Sequence, residues 1–112
     1  MGFKQLYREI FAKFGYPLAA SAGIKNSVLR AAEKRLGVKL PAALRDYYLV
    51  AGNERRFNHA CNRLLPPSEL WIDQGRLAFF EENQCVVYWG VSLRAPDNPD
   101  PLIFEGINDE PI

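Results

Sequence analysis

The sequence predicts a layer of helices laid on a β-sheet, and three observations carry that expectation. Residues 27–52, SVLRAAEKRLGVKLPAALRDYYLVAG, read as a helix, a glycine stop, a three-residue link, a proline start and a second helix. The N-terminal MGFKQLYREIFAKF repeats its apolar residues at helical spacing. Beyond residue 76, Leu77–Glu82 and Cys85–Val91 are dense in the aromatic and β-branched residues that suit strands. A chain of 112 residues is expected to form one domain. Folding at this size buries roughly two-thirds of the unfolded surface, enough for a core without metal or disulfide.

The first helix is expected over residues 2–14. Phe3, Leu6, Tyr7, Ile10, Phe11 and Phe14 make one stripe, which is assigned to the core, and Gly15 ends it. Residues 16–26, rich in small side chains, read as a loop. Asn26 or Ser27 is expected to cap the next helix by accepting a hydrogen bond from a first-turn amide. Gly37 suits the left-handed stop after its last apolar position. Val38–Leu40 form the link, and Pro41 suits the first helical position, where a missing N–H costs nothing. Leu44, Tyr47, Tyr48 and Ala51 recur at helical spacing before Gly52. So short a link folds the two helices sharply against each other.

Residues 53–69 show no clear period; Arg55, Arg56, Phe57, His59 and Arg63 crowd there, and Pro66-Pro67 bar a helix. Ser68 is expected to cap a single turn reaching Trp71. In the strands, simple alternation sends Leu77 and Phe79 one way, Ala78 and Phe80 the other. Val86 and Tyr88 alternate likewise with Val87 and Trp89. Strands apolar on both faces belong in the middle of a covered sheet. Glu82-Asn83-Gln84 is polar enough to turn between them, RAPDNPDP cannot be helical, and Leu102–Glu105 reads as a last strand. The helices cover one sheet face, which leaves the other to the prolyl linker and tail or to a partner.

Net charge is +1, but it is unevenly distributed. Residues 1–63 hold twelve Lys and Arg against four acids; residues 64–112 hold two against nine. If the halves stay apart in space, the molecule is a dipole able to steer a charged partner. No apolar run approaches the ~20 residues of a membrane helix. The N-terminus lacks the apolar core of a secretory signal, and Leu6 replaces the Ser or Thr of a myristoylation motif. Cys61 and Cys85 sit in dissimilar contexts and read as free thiols, which places the chain in the cytoplasm.

Catalytic readings fail residue by residue. A single histidine, His59, cannot make a two-histidine site, and its spacing to Cys61 and Cys85 is not that of a zinc site. No G-x-S-x-G, P-loop or G-x-G-x-x-G occurs, and Ser21, Ser27, Ser68 and Ser92 lack an activating neighbour. Glu81 and Glu82 are adjacent, so on a strand they face opposite ways. No enzyme activity, metal or cofactor is expected. Arg45, Arg55, Arg56 and Arg63 interleave with Tyr47, Tyr48 and Phe57, the ingredients of a nucleic-acid groove. The pI of 7.8 and the lack of a base-reading helix weigh against that role.

The phrases AEKRLGVKLPAALRDYYLVAGN, RLLPPSEL and LAFFEENQCVVYWGV, in this order, resemble the SUKH superfamily over residues 24–108. Its most specific pieces here are Leu36-Gly37 with Leu40-Pro41, the Tyr47-Tyr48 pair, and Glu82-Asn83-Gln84 leading to Trp89-Gly90. That group includes fungal regulators of cell-wall synthesis and bacterial immunity proteins. The resemblance implies an α+β domain, with N-terminal helices packed on an antiparallel β-sheet. It implies a non-enzymatic immunity protein that occludes a cognate toxin domain such as a nuclease or deaminase. The alternative is a regulatory or scaffolding module for a cellular protein. Members usually continue past the last strand into another helix, so a chain ending at Ile112 is expected to be a short variant or a C-terminally truncated product. A monomer or weak homodimer is expected.

For Glu82, Asn83, Gln84 and Trp89 a structural role is expected: a turn held by amide side chains and a buried indole. Partner binding is assigned to acidic and aromatic residues of the second half: Trp71, Asp73, Glu81, Asp97 and Asp100. A toxin nuclease presents a basic cleft, and an acidic face speeds encounter with it.

Overall fold

The computed structural model describes residues 3–54, 58, 62–82, 87–94 and 98–107. Three helices, α1 (Lys4–Lys13), α2 (Asn26–Leu36) and α3 (Ala42–Ala51), precede five strands. These are β1 (Asn62–Leu64), β2 (Trp71–Asp73), β3 (Arg76–Glu82), β4 (Val87–Ser92) and β5 (Ile103–Ile107).

The α2–α3 corner follows from its residues. Gly37 stands at φ 73°, and the Gly37 and Val38 N–H groups both donate to the Glu33 carbonyl, at 2.9 and 3.2 Å. The Glu33 carboxylate then fastens the link: it accepts the Leu40 N–H at 2.8 Å and meets the Arg45 guanidinium at 3.4 Å. Both helix starts differ from expectation. Neither Asn26 nor Ser27 caps α2, which begins at Asn26 after an extended Lys25. Pro41 lies one residue before α3 rather than inside it. The free Ala43 N–H there is met by the Pro99 carbonyl at 2.8 Å, so a distant segment does what a local side chain usually does.

The α1 stripe is not core. Phe11 alone is buried, while Leu6, Ile10 and Phe14 are 50%, 41% and 69% exposed. The reason is that α1 packs chiefly on α3, placing Tyr7 edge-on to Tyr47 and Phe11 beside the same ring. One helix neighbour can cover only part of a stripe that wide. The segment expected as a loop holds a 3-10 turn, Ala20–Ala22, docked on the end of α3. Ile24 N–H donates to the Tyr48 carbonyl at 2.9 Å and Asn53 N–H to the Ala22 carbonyl at 2.7 Å.

The sheet is antiparallel in the order β1-β3-β4-β5, with β2 following β1 along the same edge of β3. β1 pairs with Phe80–Glu82 and β2 with Arg76–Ala78. Between them a 3-10 turn spans Pro67–Glu69, so Ser68 caps nothing and Trp71 opens a strand. The central places of β3 and β4 agree with their two apolar faces. Their alternation does not: the register shifts between Ala78 and Phe80, opposite Trp89, and Phe79 and Phe80 both pack toward the helices. A bulge puts two consecutive residues against one partner and breaks the period of two.

Leu29, Leu40, Leu44 and Tyr48 from the helical side meet Leu64, Leu65, Leu70, Leu77 and Val91 in one core. The Tyr48 hydroxyl, fully buried, donates to the Leu65 carbonyl. This is a single α+β domain, and its two layers differ in charge: the three helices hold seven Lys and Arg against three acids, the five strands two against four. Among the described residues no helix is long and apolar enough to cross a membrane.

Candidate protein-binding surface

Strand register gathers a second set of side chains on the sheet face turned away from the helices. Trp71 lies opposite Ala78, Asp73 opposite Arg76, and Arg63 opposite Glu81, which is itself opposite Tyr88. Gly90 joins Ala78 to Phe104 across β4. Tyr88 occupies the middle and is 3% exposed. Its ring is 4.6 Å from that of Trp71, its hydroxyl donates to the Asp73 carboxylate, and its edge lies against Gly106 on β5. In a flat sheet β2 and β5 stand three strand spacings apart, roughly 14 Å. One tyrosine touching both requires a concave face.

Two glycines make room for this. Tyr88-Trp89-Gly90 on β4 runs antiparallel to Phe104-Glu105-Gly106 on β5, so each aromatic faces the other strand's glycine. A Cβ on Gly106 would fall 2.3 Å from the Tyr88 ring. Around the hollow, Arg76 sets its guanidinium 4.4 Å from the centre of the Phe104 ring, a cation–π contact. Arg63 bridges Glu81 at 2.6 Å and Glu69 at 2.9 Å, and hydrogen bonds to both acids hold its guanidinium even more firmly protonated than usual.

Trp71, Asp73 and Glu81 are therefore neighbours on one surface. Within it the two acids are engaged: Asp73 accepts from Tyr88 and Glu81 pairs with Arg63. The second face is not bare: Ala78 and Tyr88 are buried beneath these larger groups. Asp100 lies elsewhere, by the amino end of α3, lining a cavity between helices and sheet. Trp89, on the other side of β4 from Tyr88, is half-buried rather than buried, with its ring 5.6 Å from Phe80. Asp97, Asn83, Gln84, His59, Cys61, Cys85, Arg55, Arg56 and Phe57 lie outside the described residues.

Arg63, Arg76, Tyr88 and Phe104 are additions to the expected set. The repeated aromatic-x-Gly of residues 88–90 and 104–106 was the signal available for the last two. Among the described residues no three His, Cys, Asp or Glu side chains are grouped to hold a metal ion. The chain matches no protein-family model, no curated protein and no solved structure.

Proposed function

We propose that this chain is a SUKH-like, non-enzymatic protein-binding module of the cytoplasm, an immunity protein that neutralises a toxin domain by covering it. The observation that supports the reading best is the concave sheet face with Trp71, Tyr88, Arg76 and Phe104 at its centre and the Arg63 ion pairs at its side. Trp, Tyr and Arg are the residues that most often dominate binding energy, and they do so where their geometry is fixed beforehand. Here the Tyr88–Asp73 hydrogen bond and the Arg63 bridges fix it. Acids already paired with Arg63 and Tyr88 point to recognition by fit and aromatic contact. The separation of charge between layers supplies long-range steering of a basic toxin toward the sheet side.

The test is co-expression with each toxin-like reading frame from the same locus, scored by growth. Rescue by the wild-type chain, lost in Trp71→Ala and in Arg76→Glu, is the expected result. Truncating one central aromatic anchor weakens binding by about 2 kcal/mol, or about thirtyfold. Failure to rescue against every neighbouring frame removes the immunity reading. Rescue that survives both substitutions keeps that reading but moves the interface off this face.

A further inference from the structure

A cavity of about 240 Å³ lies between α1, α3 and the sheet, away from the concave face. Leu44, Phe79, Phe80 and Val91 supply apolar walls, and the bulge in β3 is what turns both phenylalanines into it. Ile103 and Asp100, both exposed, mark its mouth. Engineered cavities of about 150 Å³ with comparable walls accept benzene, so this one has room for a single ring with a short side arm.

Its polar groups decide what that arm can be. The Tyr7 hydroxyl spends its hydrogen on the Ala43 carbonyl at 2.8 Å. Tyr47 donates to Asn58 Oδ1 at 2.6 Å, and Asn58 Nδ2 donates to the Ala51 and Gly52 carbonyls at 2.8 and 3.3 Å. Every side-chain donor that these lining residues possess is thus committed inside the protein. Among the side chains, what remains are acceptors: the two phenol oxygens and the Asp100 carboxylate. Asp100 is the one charged group among the described lining residues, and it has no ion-pair partner among them. The Asp100 and Asp46 charges reach Tyr7 strongly enough to add to the rise that burial gives its hydroxyl pKa.

We infer that this cavity is a binding site for a small organic ammonium ion, an amine carrying one aromatic ring. The ring occupies the space among Phe79, Phe80 and Val91, where aromatic faces also favour a nearby cation. The ammonium donates to Asp100 and to the Tyr7 oxygen. A neutral ring lacks that charge, and an anion faces a carboxylate and oxygen lone pairs with no side-chain donor to meet it.

The test is a titration of the ¹⁵N-labelled chain with phenethylamine, alongside its neutral and anionic counterparts ethylbenzene and 3-phenylpropionate, read by amide chemical shifts. Saturable shifts confined to the Ala43–Leu44, Phe79–Phe80 and Asp100–Ile103 stretches are expected with the amine. Ethylbenzene should bind at least about tenfold more weakly, the value of one charge-assisted contact, and 3-phenylpropionate not at all. Asp100→Asn, at an exposed position whose carboxylate makes no hydrogen bond or ion pair among the described residues, should keep the amide spectrum and weaken the amine about tenfold. Absence of saturable shifts, shifts centred elsewhere, equal binding of ethylbenzene, or an Asp100→Asn chain that binds the amine as before would each overturn the proposal.

Discussion

Tyr48 of α3 donates its hydroxyl to the main-chain carbonyl of Leu65, and both residues are almost wholly out of contact with water. That one bond joins the helical layer to the chain between β1 and β2. Tyr48→Phe keeps the ring and leaves a buried carbonyl without a donor, which costs about 1–3 kcal/mol. For a domain of this size the melting temperature should fall by about 4–8 °C for each kcal/mol. Thermal unfolding followed by circular dichroism checks it, and an unchanged midpoint would show the carbonyl satisfied by water.

Alkaline pH should destabilise the fold through the same cluster. Burial pushes Tyr47 up to about 12, with the Glu54 carboxylate adding to the rise, and burial raises Tyr48 and Tyr7 as well. The unfolded tyrosines ionise near pH 10, so above that pH the native state holds more protons than the unfolded one. Stability is then complete below about pH 10 and is lost as pH climbs through the native values. Urea midpoints measured from about pH 8 to pH 11 should decline, and Tyr47→Phe should decline less steeply.

Gly23 is pressed onto α3: a Cβ there would sit 2.0 Å from the Leu49 carbonyl oxygen, a main-chain atom that cannot swing away. Gly23→Ala should therefore cost about 1–3 kcal/mol or more by forcing the Ala20–Ala22 turn off the helix end. Gly37→Ala offers a contrast. Open space surrounds that position, and only its φ of 73° penalises a side chain, by about 1 kcal/mol. Chemical denaturation of the two variants should rank them in that order.

Gly106→Ala acts on the concave face rather than the core. The new methyl would collide with the Tyr88 ring, and moving the ring breaks its contacts with Trp71 and Asp73. Altered tryptophan emission, with a partner affinity that drops at least as far as in Trp71→Ala, is the expected outcome. A partner that binds this variant normally would place recognition elsewhere on the molecule.

Much of the frame was legible in the chain because local chemistry dictated it. Gly37 stops α2 and Pro41 precedes α3 by their own backbone preferences, and the density of Phe, Val, Tyr and Trp gave β3 and β4 their central positions. β1 and β2 escaped because three residues such as Asn62-Arg63-Leu64 carry no periodicity; their pairing is dictated by β3. The α1 stripe misled because periodicity reports which face is apolar, not whether a neighbour is wide enough to cover it. The bulge at Phe79 was invisible for the same reason that it matters, since it breaks the alternation used to assign faces. Of the residues gathered on the concave face, Trp71, Asp73 and Glu81 were singled out by type. Their engagement with Tyr88 and Arg63 depends on cross-strand register, which the sequence does not print.

Among the described residues β5 pairs with β4 alone, and none of its described side chains is buried. It can lift away from its neighbour without opening the main cluster between helices and sheet, so its amides should trade hydrogen for deuterium far sooner than those of β3. Phe104 and Gly106 would leave with it, uncovering the Tyr88 ring. The outermost ribbon of this sheet is therefore a latch on the very hollow it helps to shape, held by main-chain bonds together with the Phe104 and Gly106 contacts.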